Sequence, residues 1–257
     1  MAFDPSATSL AGTGAAYQEH PAPAALRGAF GQLWQSQLDA DASGSITVLP
    51  DGCVDILWRN GVLFAVGPDR VAAHPQLAPG AQVLGARFQP GQAQAALGIS
   101  LADMLGQAIP LAELKGRWAK DVADAVGDAP PHRRMQRLAT LLHPHMGQPT
   151  DDLAALRAKA LFRGLAEGSS IDALAEHLDL HPRSLRRLSQ QQFGYGAKTL
   201  QRILRLQRFL RGCRSDATLA MAARAADAGY ADQAHLSRDA RELAGMTATA
   251  LWLQWTR

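Results

Sequence analysis

The sequence predicts an α+β chain: a mixed, barrel-like β-sheet domain first, then an all-α domain built on a repeated unit of short helix, tight turn and second helix. Three observations predict it. Between Ser45 and Gln89 short apolar runs alternate with turn residues, which is a strand pattern. After Gly91 the apolar residues recur every three to four positions, which is a helix pattern. Charge also divides along the chain. Residues 1–150 hold ten Lys/Arg and twelve Asp/Glu, a balance of −2, whereas residues 151–257 hold sixteen and eleven, a balance of +5.

The strands follow from local chemistry. Residues 1–16, rich in Ala, Ser, Thr and Gly, read as a disordered tail. Tyr17 to Pro23 reads as extended, because Pro21 and Pro23 block a helix. Ile46–Leu49, Cys53–Trp58, Val62–Val66 and Val83–Phe88 are the predicted strands, with Asn60-Gly61 as a hairpin turn between the second and third. Helices are predicted over 92–97, 100–106, 115–126 and 131–143, then a loop from His143 to Pro149. The predicted divisions are a sensing or assembly domain over 17–146 and a second domain over 150–257, whose first helix starts at Asp151-Asp152 and runs to Ala166.

Ile171, Leu174, Ala175 and Leu178 make one apolar stripe on a short helix, with Ser170 as its cap. Asp179 stands where the chain must turn, and Asp tolerates the left-handed conformation better than most residues. Pro182 suits the first turn of the next helix. That helix turns Leu185, Leu188 and Phe193 inward and Arg183, Arg186 and Arg187 outward. A second copy follows. Met221, Ala222 and Ala225 form its first stripe, Gly229 its turn, and 231–243 its second helix, with Gln233, Ala234, Ser237, Arg238 and Arg241 outward. A helix over 197–210 joins the copies and spans roughly 20 Å. A helix armed with arginines behind a tight turn is the geometry that enters a major groove, and two such helices about 34 Å apart read two successive grooves. Of the sixteen cations after residue 150, fourteen are arginine, whose planar fork suits phosphates and guanine edges.

These residues resemble the DNA-binding domain of the AraC (arabinose-regulator) family over 153–257. The likeness lies in His181-Pro182-Arg183-Ser184-Leu185-Arg186-Arg187, in Phe193-Gly194-Tyr195-Gly196, in Arg202-Ile203-Leu204-Arg205-Leu206, and above all in Ala228-Gly229-Tyr230-Ala231-Asp232-Gln233-Ala234-His235-Leu236-Ser237-Arg238. The resemblance implies seven helices, a double helix-turn-helix and transcriptional control. It makes Arg183, Ser184, Arg186 and Arg187 in the first unit, and Gln233, Ser237 and Arg238 in the second, the base and phosphate contacts. Arg202 and Arg205 would hold phosphates or brace the linker. The sequence departs from the family at Asp179 (usually glycine), Arg224 (usually aliphatic), Ala240 (usually phenylalanine) and Ala248 (usually proline). Arg224 is expected to reach its head to solvent over an apolar stem. Leu49–Ile56, Gly67-Pro68 and Gly85–Gly91 resemble an uncharacterised N-terminal domain often joined to this reader.

Asp51, Cys53 and Asp55 alternate, so all three can face one side of a strand. With Arg87 they form either an effector pocket or a salt-bridge network. Asp39 to Ile46 imitates the start of a calcium loop, but Pro50 stands where the closing glutamate belongs, so the stretch reads as a polar loop. His143 and His145 lack a third ligand, and no phosphate loop or nucleophile elbow occurs, so neither metal, cofactor nor enzymatic activity is expected.

Length allows one large or two ordinary domains, and 47% hydrophobic against 19% charged residues gives a packed core rather than a disordered chain. Two cysteines, Cys53 and Cys213, make no disulfide framework, which points to a reduced, cytoplasmic setting. No leader opens the chain and no apolar run reaches bilayer length, so no membrane partner is expected. The expected partners are double-stranded DNA, RNA polymerase, a small-molecule effector and a second copy of the chain. Two alternatives stand beside the regulator: a DNA alkyl-damage responder with a methyl-accepting cysteine, and a non-specific DNA-binding module.

Overall fold

The computed structural model describes residues 15–40, 44–215 and 220–255. Its first half is a six-stranded sheet with strands β1 (Ala15–Pro21), β2 (Phe30–Leu38), β4 (Asp55–Arg59), β5 (Val62–Val66), β7 (Gln82–Phe88) and β8 (Ala108–Pro110) in the order β1-β2-β7-β4-β5-β8. Strands β3 (Gly44–Ser45) and β6 (Gln76–Leu77) form a separate two-stranded ladder. Every pairing is antiparallel and the six-stranded sheet stays open, with β1 and β8 at its edges, so the expected mixed or barrel-like sheet is an open antiparallel one. Asn60 and Gly61 both have positive φ, 50° and 77°, as a two-residue turn matched to strand twist requires.

The sheet has two different faces. Leu33, Ile56, Trp58, Leu63, Leu84 and Ala86 point into one apolar core, covered by α1 (Ala93–Leu97), α2 (Leu111–Lys115), α3 (Arg117–Gly127) and α4 (Arg134–Met146). The Trp58 indole donates to the Ala123 carbonyl at 3.0 Å, so its one polar atom is satisfied inside that core. On the other face the Trp34 indole lies flat over Gly85, where any side chain would collide with it.

Several boundaries differ from expectation. Residues 101–106 form turns rather than a helix, and the helix predicted over 115–126 is split at Gly116, whose φ of 70° no helix accepts. A 3-10 turn at Pro131–Arg133 leads into α4, which runs on through Pro144, so the expected loop starts only at Gly147. Ile46–Leu49 makes a single bridge, Val48 to Ala73, in place of a strand. Strands β2 and β8 were not expected. Of the predicted tail, Ala15 and Ala16 lie in β1 and residues 1–14 are outside the described residues, as are 41–43 of the calcium-like loop.

Among the described residues the second half holds seven helices, α5 (Leu153–Glu167), α6 (Ile171–His177), α7 (Pro182–Phe193), α8 (Ala197–Ser215), α9 (Met221–Asp227), α10 (Gln233–Ala244) and α11 (Ala248–Trp255). Asp152 caps α5 by accepting from the Ala155 N–H at 2.7 Å. Phe162, Phe193, Leu200, Ile203, Phe209, Leu236 and Leu251 anchor a second core, which Leu49 from the first half completes. Helix α8 exceeds its predicted span by five residues, giving about 28 Å at the helical rise.

Candidate nucleic-acid interface and effector cavity

Helices α6 and α7 form the first helix, turn and helix unit. Ser170 Oγ accepts from the Ala173 N–H at 3.1 Å, and Asp179 takes the turn at φ 51°. Pro182 occupies the first turn of α7 and His181 caps it. Leu185, Leu188 and Phe193 are buried, while Arg183, Arg186 and Arg187 are exposed and Ser184 is half-buried. None of these three arginines has an ion-pair partner among the described residues. They are free cations on the outer face of the second helix.

Helices α9 and α10 repeat the arrangement, with Gly229 at φ 85° in the turn. Asp232 caps α10 by accepting from the His235 N–H at 2.6 Å. Gln233, Ala234, Arg238 and Arg241 are exposed and Ser237 is half-buried. Two expectations fail inside this unit. Ala222 is exposed, so the inward stripe is Met221, Arg224, Ala225 and Ala228, with Met221 half-buried against the core. Arg224 does not reach solvent: it is 3% exposed, donates to the Gly212 carbonyl at 3.0 Å and lies 5.8 Å from the Trp252 ring centre. A carbonyl and an aromatic face within reach remove the need for water.

Arg202 and Arg205 of α8 face inward toward α10. Arg202 pairs with Asp239 at 2.8 Å and with Glu242. Arg205 meets His235 Nε2 at 3.2 Å and lies 5.4 Å from the Tyr230 ring centre. Both contacts tie the linker to the second unit.

The first half carries a cavity of about 380 Å³ on the sheet face that helices do not cover. Asp51, Cys53, Asp55 and Arg87 all line it, although only Asp55 and Arg87 belong to strands. Arg87 is 6% exposed and grips Asp55 through two bonds, Nε to Oδ1 at 3.1 Å and Nη2 to Oδ2 at 3.2 Å. Asp51 at 3.3 Å and Glu19 at 3.8 Å complete the cluster. Burial works against the charge on Arg87, and the adjoining Asp55 and Asp51 more than offset it, holding the group protonated well beyond its ordinary range. Trp34 Nε1 donates to Asp55 Oδ2 at 3.2 Å. The pocket and the salt-bridge network are therefore one construction: the network is the cavity's charged wall.

Four further residues of this wall carry no sequence signal, because β1, β2 and the loop after β5 bring them in from afar. They are Tyr17, Trp34, Ser36 and Asp69. Burial, followed by Asp51 and Asp55, raises the Asp69 carboxyl to about 6. Burial, then Asp51, pushes the Cys53 thiol up, and burial likewise raises Cys213 despite Arg224 nearby. A raised pKa keeps a buried thiol in its protonated form, whereas the thiolate is the attacking species.

The two halves meet closely. Gln207 of α8 donates to the Pro50 carbonyl at 2.8 Å, and Gln192 of α7 to Gln94 at 2.8 Å. The Ala72 N–H donates to the Leu243 carbonyl at 2.7 Å, and the Leu101 N–H to the Gln191 carbonyl at 3.1 Å. Gly52, at φ 82°, leaves room for Leu200 and Phe162, which a Cβ would meet at 2.9 and 3.0 Å. The Asp51 loop thus touches the cavity on one side and the helical core on the other.

Residues 174–252 match a family model described as a helix-turn-helix domain, and residues 18–110 match one described as a domain of unknown function (DUF6597). No curated protein matches the chain. Among solved structures, the chain is similar to the apo form of a ToxT point variant from Vibrio cholerae strain SCE256, with 9% identity over 95% of this chain and 99% of that one and a TM-score of 0.46. Two ToxT structures from Vibrio cholerae O395 also match at 9% identity and a TM-score of 0.46, covering 93% of this chain and 98% or 99% of theirs. The second of these is bound to (E)-4-(8-methylnaphthalen-1-yl)but-3-enoic acid. No helix of the described residues is long and apolar enough to cross a membrane.

Proposed function

We propose that the chain is a DNA-binding transcription regulator of the AraC type, a reading supported by the helix-turn-helix match over residues 174–252, and that it reads specific sequences with both units, placing α7 and α10 in successive major grooves. The observation that carries this reading is the row Arg183, Arg186 and Arg187: exposed, unpaired, and mounted on a helix whose other face is locked in the core. A guanidinium engaged by no carboxylate is available for a phosphate or for the O6 and N7 edge of guanine. Ser184, Gln233, Ser237 and Arg238 are the further contacts on this reading. RNA polymerase and a second copy of the chain are partners we add from the regulator's role.

We assign the domains as 17–146 and 150–257, because the apolar residues separate into one cluster within 22–146 and another over 158–255 joined by Leu49. The cavity over the sheet is our effector site. Its floor is the Asp51 loop, which also packs on the reader, so a ligand that favours one arrangement of that loop biases the DNA-binding half. The test is competition: the full chain is offered its best-selected sequence and random duplex at fixed salt. Specific reading requires a preference of about a thousandfold or more. Equal affinity for both would establish the non-specific module instead.

A further inference from the structure

We propose that the cavity over the sheet takes a ligand with an apolar ring body and one ammonium head, anchored by Asp69. The inference rests on the effector reading of this cavity and names the chemistry of its ligand. The volume, about 380 Å³, falls in the range of small-molecule sites. Trp34, Leu57, Phe64, Val66 and Val83 make the wall largely apolar and partly aromatic, which suits a ring. The charges in the wall are not balanced. Asp51 and Asp55 of the wall, with Glu19 from outside it, share the single guanidinium of Arg87. Asp69, the third carboxylate of the wall, has no cation and no side-chain hydrogen bond among the described residues.

An uncompensated, half-buried carboxylate is costly, and the upward shift of its pKa reflects that cost. A cationic ligand would offset it, whereas an anionic ligand would meet the three carboxylates that line the space, Asp51, Asp55 and Asp69. Arg59 and His74 also line the space: the Arg59 guanidinium lies 5.5 Å from the Phe64 ring centre, and His74 Nδ1 lies 3.4 Å from Thr47 Oγ1. A second, independent observation comes from Ser36. It is 2% exposed, it lines the cavity, and its Oγ has no hydrogen-bond partner. Buried hydroxyls are rarely left so, and this one offers a hydrogen bond to a heteroatom of a bound molecule.

The anchor is also placed to signal. Asp69 follows Pro68, whose ring packs against Gly194, the left-handed residue that ends α7. The next residue, Tyr195, is buried with an unpartnered hydroxyl within electrostatic reach of Asp51, Cys53 and Asp69. A charge set against Asp69 is therefore felt at the end of the first reading helix.

The test uses the full chain without DNA and three probes of one shape: tryptamine, its neutral alcohol tryptophol, and the anion indole-3-acetate. Calorimetry should show tryptamine binding at least about tenfold more tightly than either of the others. Asp69→Asn should remove that preference while raising the melting temperature, because it deletes an unpaired charge without enlarging the cavity. Equal or tighter binding of the alcohol or the anion overturns the proposal, as does tryptamine affinity unchanged in Asp69→Asn. DNA affinity is measured separately with and without tryptamine. Amine binding that leaves DNA affinity unaltered would support the ligand chemistry and overturn the effector reading beneath it.

Discussion

Helices α7 and α10 are each twelve residues long and correspond position by position, from Pro182 and Gln233 to Phe193 and Ala244. Each begins behind a side-chain cap and ends on a left-handed glycine, Gly194 or Gly245. Each follows a turn residue with positive φ, Asp179 or Gly229. Yet two sealed positions differ in kind. Where the first unit buries Leu174 and Leu188, the second buries Arg224 and Asp239. Leucine burial is non-directional, and any well-shaped apolar neighbour satisfies it. Arg224 needs the Gly212 carbonyl and the Trp252 ring, and Asp239 needs Arg202. Two of those three partners belong to α8, so the polar pairs orient the second unit on the linker helix as well as filling its core. The same backbone plan is held by apolar area in one copy and by directed contacts in the other.

Exchanging the two kinds of residue breaks the comparison most sharply. Leu188→Asp places a carboxylate in the first unit with no arginine built to receive it. The expected loss is about 3–5 kcal/mol of folding free energy, read as a lower midpoint in urea unfolding. The converse change, Asp239→Leu, removes the buried charge and leaves Arg202 to Glu242 near the surface. Its expected effect is within about 1 kcal/mol in either direction. Equal losses in the two variants would show that the two sites are not different in kind.

Arg224 sharpens the point at smaller magnitude. Arg224→Ala strands the Gly212 carbonyl and empties space beneath Trp252, for an expected loss of about 1–3 kcal/mol. Arg224→Leu refills the space with the residue type found at Leu174 and should recover most of that loss. A leucine variant no better than the alanine one would mean that the polar contact, rather than the volume, holds this corner.

The same contrast explains what the sequence could disclose. The first unit was legible because apolar spacing, the Ser170 cap and the Pro182 start all signal locally. Arg224 was misread for the opposite reason, since its partners lie on α8 and α11 and no local pattern reveals them. Strand β2 was missed because Phe30, Leu33, Trp34 and Leu38 are buried on both faces of the sheet, one toward the helices and one toward the cavity. Burial on both sides erases the period of two, and the remaining spacing imitates a helix. In the cavity, alternation points to Asp51, Cys53 and Asp55, with Arg87 as their polar neighbour, although Asp51 and Cys53 stand in a loop. Asp69, Ser36 and Trp34 carry no such signal, because only the sheet's pairing order and the loop after β5 bring them together.

On DNA the comparison predicts unequal reading. Arg187 is flanked by Arg186, whereas its counterpart Arg238 is flanked by Ser237. Arg187→Ala should cost about 1–3 kcal/mol on the selected sequence and much less on random duplex. Arg238→Ala should cost about 1 kcal/mol on the selected sequence. Fluorescence anisotropy with both duplexes measures the two differences together. A larger loss from Arg238→Ala would make the second unit the principal reader, against the ranking drawn from exposed arginines.

The smallest expected effect tests how the linker joins the units. Arg205 can hold a DNA phosphate or brace α10, and its half-buried head is already occupied by His235 and the Tyr230 ring. A charge-assisted hydrogen bond, weakened by solvent at a partly exposed site, and a cation–π contact are together worth about 1 kcal/mol or slightly more. Arg205→Ala should therefore lower folding stability by about that amount. It should leave the slope of log affinity against log salt unchanged, because a guanidinium turned inward displaces no counterion. A phosphate contact would behave differently, with the slope falling by about 0.9 while stability stayed level. Measuring both quantities on one variant separates the two roles, because each predicts a change where the other predicts none. A shallower slope would return Arg205 to the DNA surface and leave Arg202, paired to Asp239 and Glu242, as the tie between the linker and the second reading helix.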